Sequence, residues 1–191
     1  MDLSDQIERV IFTEQEISDR VSELGSRITG DFKAFAVPPV VVGVATGAFL
    51  FLADLARKIR LSITVDIIRI ESYGSGTVSN GQPTISSELK IDVQGRHVIL
   101  AENLVEDIID TGSTLSCLID YMKTKGALSI SVCTLLDKPA RRKVDFELVG
   151  EGKFYCGFEC PDEFVVGYGL DYAEVYRNLP YVAVLKPEIY K

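Results

Sequence analysis

Residues 97–115, HVILAENLVEDIIDTGSTL, carry the strongest indication of how this chain folds. The stretch begins with an apolar run that is typical of a buried strand. It continues through a Thr-Gly-Ser-Thr turn into a segment whose apolar residues recur at helical spacing: Leu115, Leu118, Ile119 and Met122. A buried strand that leads through a short turn into a helix is the repeating unit of α/β proteins, so the stretch predicts that class.

Three carboxylates stand before the turn, with Glu106 and Asp107 adjacent and Asp110 three residues later. The backbone N–H groups of a turn that opens a helix form a site for a phosphate group, because the positive end of the helix lies behind them. Carboxylates beside such a site repel the phosphate unless they bind sugar hydroxyls or a bridging metal ion. The combination therefore indicates a sugar phosphate. The alternative is a solvated acidic strand end beside a capped helix.

The rest of the chain repeats the alternation of strand and helix. Residues 40–45 are a solid apolar run, which is typical of a parallel strand covered on both faces. Thr13 and Glu16 form a capping-box pattern that starts a helix. A further helix is predicted at 48–59, a long loop at 72–86, and strands at 63–70, 87–93, 128–136, 154–158, 164–166 and 181–185. We therefore expect an α/β fold with a mainly parallel central sheet flanked by helices.

Composition narrows the class of partner. A chain of 191 residues with 47% hydrophobic and 25% charged residues suits one globular domain. The net charge of −8 argues against general nucleic-acid binding, which needs a basic surface. No apolar stretch is long enough to span a bilayer, since residues 40–55 come closest but are interrupted by polar residues and fall short of roughly 20. The acidic start lacks the basic region of a leader peptide. We expect no nucleic-acid or membrane partner.

The cysteines do not suggest a metal site. Cys117, Cys133, Cys156 and Cys160 are scattered, and a single His accompanies them. We interpret them as small buried thiols in a reducing compartment, and expect a cytoplasmic protein.

Several stretches together resemble a known family. Residues 105–115 resemble the phosphoribosyl-diphosphate (PRPP) binding motif of the type I phosphoribosyltransferases. Further stretches narrow the resemblance to the hypoxanthine-guanine phosphoribosyltransferases, and lie at 41–55, 71–74, 135–139, 157–172 and 176–180. The resemblance covers roughly residues 7 to 189 and implies transfer of a 5-phosphoribosyl group from PRPP to hypoxanthine or guanine, with Mg²⁺ as cofactor.

The resemblance also implies an architecture and a pathway. It implies purine salvage with IMP or GMP as product, and a homo-oligomer, either a dimer or a tetramer. It implies a type I phosphoribosyltransferase fold with a small hood built from the terminal segments. We therefore expect one phosphoribosyltransferase domain over residues 1–191, its hood formed by N-terminal residues and parts of 137–191.

Site residues carry over where the chain matches the family motifs. Asp110 matches the base that accepts a proton from purine N7. The ribose and its 5′-phosphate are assigned to Glu106, Asp107, Thr111, Gly112, Ser113 and Thr114, and the metal to Glu106, Asp107 and Asp162. Pyrophosphate is assigned to Ala45, Thr46, Gly47 and one of two arginines, Arg141 or Arg142, of which we choose Arg142. The lid begins with Ser72 and Tyr73, and the purine is assigned to Lys138, Tyr155 and Cys156. The family's peptide at residues 45–47 is often a non-proline cis bond.

Residue types alone leave alternatives for three of these assignments. Asp110 is equally explained as the N-cap of the following helix. The alternative for Lys138 is a solvated lysine on the surface, and the alternative for Tyr155 is a ring packed in the core. For the whole protein, the alternatives are a nucleotide-binding regulator without turnover and a phosphoribosyltransferase for another base such as xanthine or a pyrimidine.

The chain departs from the family in two places. Thr46 stands where many relatives carry a lysine, so the backbone has to contact the pyrophosphate there. Residues 101–104 form an apparent four-residue insertion between the strand and the acidic motif. We expect these residues to leave the sheet as a bulge or loop, with Glu102 and Asn103 exposed.

Overall fold

The computed structural model describes residues 3–72, 83–105, 114–139 and 147–190, and for residues 71, 72, 104 and 105 it describes the backbone only. A short 3-10 helix, Leu3–Gln6, comes first. The following elements are β1 (Ile7–Phe12), α1 (Glu14–Phe32), β2 (Val40–Ala45), α2 (Phe49–Lys58), β3 (Thr64–Ser72), β4 (Pro83–Ile85), β5 (His97–Val105), α3 (Thr114–Thr124), β6 (Ser129–Asp137), β7 (Phe154–Glu159), β8 (Val165–Val166), β9 (Val182–Leu185) and α4 (Pro187–Tyr190).

The central sheet has six strands in the order β4-β3-β2-β5-β6-β7. Its neighbours run parallel, except that β4 is antiparallel to β3. Five of the six residues of β2 are buried, since helices cover both faces of the sheet. On one face, α1 and α2 pack over Val41, Ile99 and Ala101. On the other face, α3 packs over Val42 and Leu100 among others.

Helix α1 begins where the capping-box pattern predicts. The Thr13 hydroxyl accepts a hydrogen bond from the Glu16 backbone N–H at 3.3 Å. The Glu16 carboxylate in turn accepts from the Thr13 N–H at 2.8 Å. These two bonds satisfy backbone donors that the first turn of a helix leaves unpaired, and so fix its start.

A second, antiparallel sheet has the order β1-β9-β8 and joins the two ends of the chain. Ile7 pairs with Leu185, and Val166 pairs with Ala183. This sheet, with a small core of its own around Tyr176 and Leu179, is the hood that we expected from the terminal segments. The predicted fold class is confirmed.

Two local predictions are wrong. Residues 87–93 are not a strand; the short antiparallel partner of β3 is β4, which falls within the predicted long loop. Residues 101–104 do not leave the sheet, because β5 continues through them and pairs with β6 without a shift in register. Asn103 is buried, with 2% of its surface exposed, rather than exposed as we expected.

None of the helices in the described ranges is long and apolar enough to cross a membrane.

Candidate active site

The carboxyl ends of the parallel strands lie at one edge of the central sheet, where ligands of open α/β sheets bind. The loop after β2 lies at this edge, and so do the end of β6 and the turn that follows β7, which are joined to each other by a backbone hydrogen bond. Predicted site residues in or beside these segments are Ala45, Thr46, Gly47, Lys138 and Asp162. Thr114 is the first residue of α3, and Ser72 is the last residue of β3.

The loop at residues 45–47 connects β2 to α2, and its Ala45–Thr46 peptide is cis, as the resemblance implied. The loop is closed by backbone bonds, with the Ala48 N–H donating to Val44 O at 3.1 Å and the Phe49 N–H donating to Thr46 O at 3.2 Å. The N-cap of α2 is Ala48, and no side chain of the described residues caps this helix end. Thr46 is exposed. The loop can therefore offer an anion its backbone N–H groups beside a helix terminus.

Gly47 is in close contact with the segment that follows β8. Gly169 has a φ of +97°, and a Cβ at that position would lie 2.2 Å from Gly47 O. Only a glycine accommodates both the left-handed backbone and this approach. The two backbones therefore pack directly on each other at the edge of the sheet.

The segment at residues 167–177 is unusual in its backbone. Four of its non-glycine residues have positive φ, and they are Tyr168, Ala173, Glu174 and Tyr176. Such conformations cost free energy for residues with a Cβ and persist when the surrounding contacts fix them. The Arg177 guanidinium supplies one such contact by donating to Gly169 O at 2.8 Å.

Lys138 follows β6 directly and is buried, with 5% of its surface exposed. Its Nζ donates to Glu163 O at 2.9 Å, and the Cys160 N–H donates to Asp137 O at 2.7 Å. These bonds bring the turn at residues 160–163, which contains Asp162, against the end of β6. The structure thus brings Lys138 close to the turn that carries Asp162, and it does not match the alternative of a solvated lysine.

Tyr155 and Cys156 lie farther down the sheet, in β7 beside Cys133 and Thr134. The Tyr155 ring is buried in the core on the α1 face, with 1% of its surface exposed. Its hydroxyl donates to Asp31 at 2.8 Å, and burial with this carboxylate raises the pKa of the phenol. The described packing matches the alternative that the sequence left open for Tyr155.

The central part of the predicted site lies outside the described residues. This holds for Tyr73, Glu106, Asp107, Asp110, Thr111, Gly112, Ser113, Arg141 and Arg142. Their assignments stay predictions.

Sequence reasoning missed a contact at the centre of this edge. Asn103 on β5 donates through Nδ2 to Tyr168 O at 2.5 Å and to Gly47 O at 3.3 Å. A buried polar residue within an apolar run is a signal that the sequence did contain. We interpreted it instead as part of an exposed insertion, because the motif downstream fits the family only with four residues removed.

Glu102 is the second residue that sequence reasoning misplaced. Its Oε2 is enclosed and has no hydrogen-bond partner among the described residues. Desolvation by burial raises the pKa of Glu102 to about 8. Because side chains alternate along a strand, Glu102 faces the α3 side of the sheet while Asn103 faces the α1 and α2 side.

The chain matches the phosphoribosyl transferase domain family over residues 10–173. It is 45% identical to the hypoxanthine-guanine phosphoribosyltransferase of Bacillus subtilis over 185 residues, which cover 97% of each protein. It is also 45% identical to the bifunctional protein TilS/HprT of Listeria monocytogenes over 188 residues. In that comparison the chain is covered to 98% but spans only 27% of the length of the bifunctional protein.

Solved structures agree with the sequence comparisons. A hypoxanthine phosphoribosyltransferase from Staphylococcus aureus superimposes with a TM-score of 0.86 at 38% identity. The match covers 99% of this chain and 97% of the other.

Proposed function

The chain belongs to the phosphoribosyl transferase family and, within it, to the hypoxanthine-guanine phosphoribosyltransferases, and we propose that it acts in purine salvage. It transfers the 5-phosphoribosyl group from PRPP to hypoxanthine or guanine. The products are IMP or GMP and pyrophosphate. A homo-oligomer and a cytoplasmic location are part of the same proposal.

One observation carries the proposal. The loop at residues 45–47 packs at the carboxyl edge of the sheet in a chain that is 45% identical to a hypoxanthine-guanine phosphoribosyltransferase. Lys138 is held at the end of β6 by its bond to Glu163 O. The first segment suits an anion, and the second suits an acceptor such as a purine carbonyl.

PRPP binds to the segments that precede two helices, α2 and α3. The backbone of residues 45–47 contacts the diphosphate, since Thr46 supplies no cation there. The turn that ends at Thr114, the first residue of α3, holds the 5′-phosphate. Glu106 and Asp107 bind the ribose hydroxyls, and Arg142 contacts the departing pyrophosphate. Ser72 and Tyr73 begin the lid.

Recognition of the purine base depends on hydrogen-bond donors and acceptors of the protein. Lys138 donates to the oxygen at C6 of the base, which selects hypoxanthine and guanine over adenine because adenine presents an amino donor there. Cys156 contacts the edge of the base through its backbone. The Tyr155 ring, packed in the core under α1, is left out of the proposed base contact. Asp110 accepts the proton from N7 as the base attacks the anomeric carbon.

Mg²⁺ fits the donor set that the chain offers. Its ligands in proteins are oxygen atoms, and Glu106, Asp107 and Asp162 supply carboxylates. No group of three His, Cys, Asp or Glu side chains that could hold an ion lies within the described residues, which include Asp162 but not the other two. When bound, Mg²⁺ neutralises charge on the diphosphate.

A panel of bases tests the function directly. The purified protein is incubated with PRPP and Mg²⁺ and, in separate reactions, with hypoxanthine, guanine, xanthine, adenine and uracil. We expect steady formation of IMP and GMP and no product from adenine or uracil. Omission of Mg²⁺ with added chelator should abolish turnover.

Two results would contradict the proposal. Binding of PRPP without turnover of any base would favour a regulator that keeps the nucleotide site. Faster turnover of xanthine or a pyrimidine than of hypoxanthine would assign the chain to another base.

A further inference from the structure

Asn103 occupies a central position in the sheet. It lies on β5, between β2 and β6, and its side chain is on the same face as Ala101 in the core under α1 and α2. The residue is 2% exposed. A polar side chain that is buried in this way has to make hydrogen bonds, since burial without them costs free energy.

The side-chain amide of Asn103 binds two carbonyls from two separate segments. Nδ2 donates to Gly47 O in the loop at residues 45–47 and to Tyr168 O in the segment at residues 167–177. A primary amide nitrogen carries two hydrogens, so it can serve both acceptors at once. Asn103 therefore links the loop that follows β2 to the segment that lies over it.

The segment at residues 167–177 is itself fixed on either side of this link. The Tyr168 hydroxyl donates to the Asp54 carboxylate of α2 at 2.5 Å, and the Gly169 N–H donates to Arg177 O at 2.9 Å. A Cβ at Gly169 would lie 3.1 Å from Asn103 Nδ2. The amide is thus enclosed between two backbones, one of which is braced against α2.

The chemistry of the link requires an amide. A flipped Asn103, or an aspartate, would direct an oxygen at two carbonyl oxygens, which repel it. Oδ1 is buried without a hydrogen-bond partner among the described residues, so the donor side of the group alone accounts for its orientation.

We propose that Asn103 is a positioning residue, whose amide holds the Gly47 carbonyl and with it the backbone of residues 45–47 in place for the diphosphate of PRPP. The inference rests on the proposed function. Because Thr46 offers no cationic contact, the affinity for diphosphate depends on where the backbone N–H groups of this loop lie. Asn103 touches neither substrate, and acts through the loop.

The experiment compares Asn103→Asp and Asn103→Ala with a matched control, Ser131→Ala. Ser131 is also a fully buried polar residue of the central sheet, and its Oγ accepts a hydrogen bond from the Lys153 N–H at 3.0 Å. Four quantities are measured for each protein: KM for PRPP, KM for hypoxanthine at saturating PRPP, the Kd of Mg²⁺-pyrophosphate by calorimetry, and Tm.

We expect Asn103→Asp to raise the KM for PRPP and the Kd of pyrophosphate by at least tenfold, with the KM for hypoxanthine changed less than twofold. Asn103→Ala should show the same selectivity with a smaller effect. Ser131→Ala should lower Tm and leave both KM values and the Kd of pyrophosphate unchanged. If Asn103→Asp fails to fold, Asn103→Ala carries the test, because it introduces no charge.

If both Asn103 variants have a lower Tm but an unchanged KM for PRPP and Kd of pyrophosphate, Asn103 has a purely structural role and the inference is overturned. An equal rise of both KM values would overturn it as well. Absence of turnover in the wild-type protein would count against the proposed function alone, since pyrophosphate binding still reports on the loop. Wild-type protein that neither turns over nor binds pyrophosphate would overturn both.

Discussion

Glu102 lies directly opposite Thr134 in the parallel pairing of β5 with β6, and the register on either side of this pair is unbroken. Because of this pairing, the Glu102 carboxyl group lies against a face of the central sheet, where its Oε2 is buried without a hydrogen-bond partner among the described residues. Burial accordingly raises the pKa of Glu102 to about 8. The free energy of unfolding of the protein therefore depends on pH.

Glu102→Gln should stabilise the protein, and more so at pH 8 than at pH 5. The folded-state pKa is raised from 4.5 to about 8. Below 4.5 the carboxyl group is protonated in both states. As the pH rises towards 8, the unfolded chain releases the proton that the folded chain retains, so the stability of the wild type falls. The variant has no such dependence at this position. We expect its advantage to grow by up to about 4 kcal/mol over this window.

The measurement is the free energy of unfolding by denaturant at pH 5 and pH 8. Glu151→Gln, at an exposed turn residue, is the matched control and should show no comparable change. An advantage for Glu102→Gln that is the same at both values of pH would place its carboxyl group in contact with water.

Deletion of residues 101–104 should lower Tm. The deletion would draw residues 105–108 into the vacated register, and an even count keeps the alternation of faces. Asp107 would then replace Asn103, with a carboxylate directed at Gly47 O and Tyr168 O. Calorimetric melting of the deletion variant checks this. A Tm above that of the wild type would instead favour the bulge or loop that the sequence led us to expect at residues 101–104.

Local signals in the sequence predicted the local features. The capping box at Thr13 and Glu16 involves residues three apart, so the start of α1 is readable from the sequence alone. The apolar run of β2 likewise reports directly that both faces are covered.

Contacts between distant parts of the chain could not be predicted in the same way. Strand β1 was missed, because apolar and polar residues do not alternate regularly along it and its partner β9 is at least 170 residues away in the sequence. Asn103 and Tyr168 are 65 residues apart. Whether residues 101–104 form a bulge or a strand depends on the partner that β6 supplies, and a motif comparison along one chain does not contain that information.

Asp110→Asn should lower kcat by about 10²–10⁴-fold, the range for one acid–base group, with a much smaller change in PRPP binding. The comparison is with Asp120→Asn, which removes an exposed carboxylate paired with Lys123 on α3. Steady-state rates with hypoxanthine, together with PRPP binding, decide the matter. A kcat close to that of the wild type would return Asp110 to helix capping.

Lys138→Gln should raise the KM for hypoxanthine and guanine more than the KM for PRPP, since the lost donor contacts only the base. Loss of a hydrogen bond to a charged group corresponds to about 1.5–3 kcal/mol. The variant also loses the bond to Glu163 O, so Tm is recorded beside the kinetics. Lys123→Gln, on the surface of α3, is the control. An unchanged purine KM would remove Lys138 from base recognition.

Gly169→Ala should destabilise the protein and weaken PRPP binding together. The backbone at Gly169 has a φ of +97°, and a Cβ there would lie 2.2 Å from Gly47 O. The added methyl group has to push the two backbones apart, which together with the left-handed conformation costs at least about 2 kcal/mol. Since the displaced carbonyl belongs to the loop at residues 45–47, the KM for PRPP should rise while the KM for hypoxanthine changes little. Gly30→Ala is the matched control and should leave both constants unchanged, because a Cβ added there would lie more than 4 Å from every described atom outside its own stretch of α1. A Gly169→Ala protein that melts earlier but binds PRPP as tightly as the wild type would show that the loop does not depend on this contact.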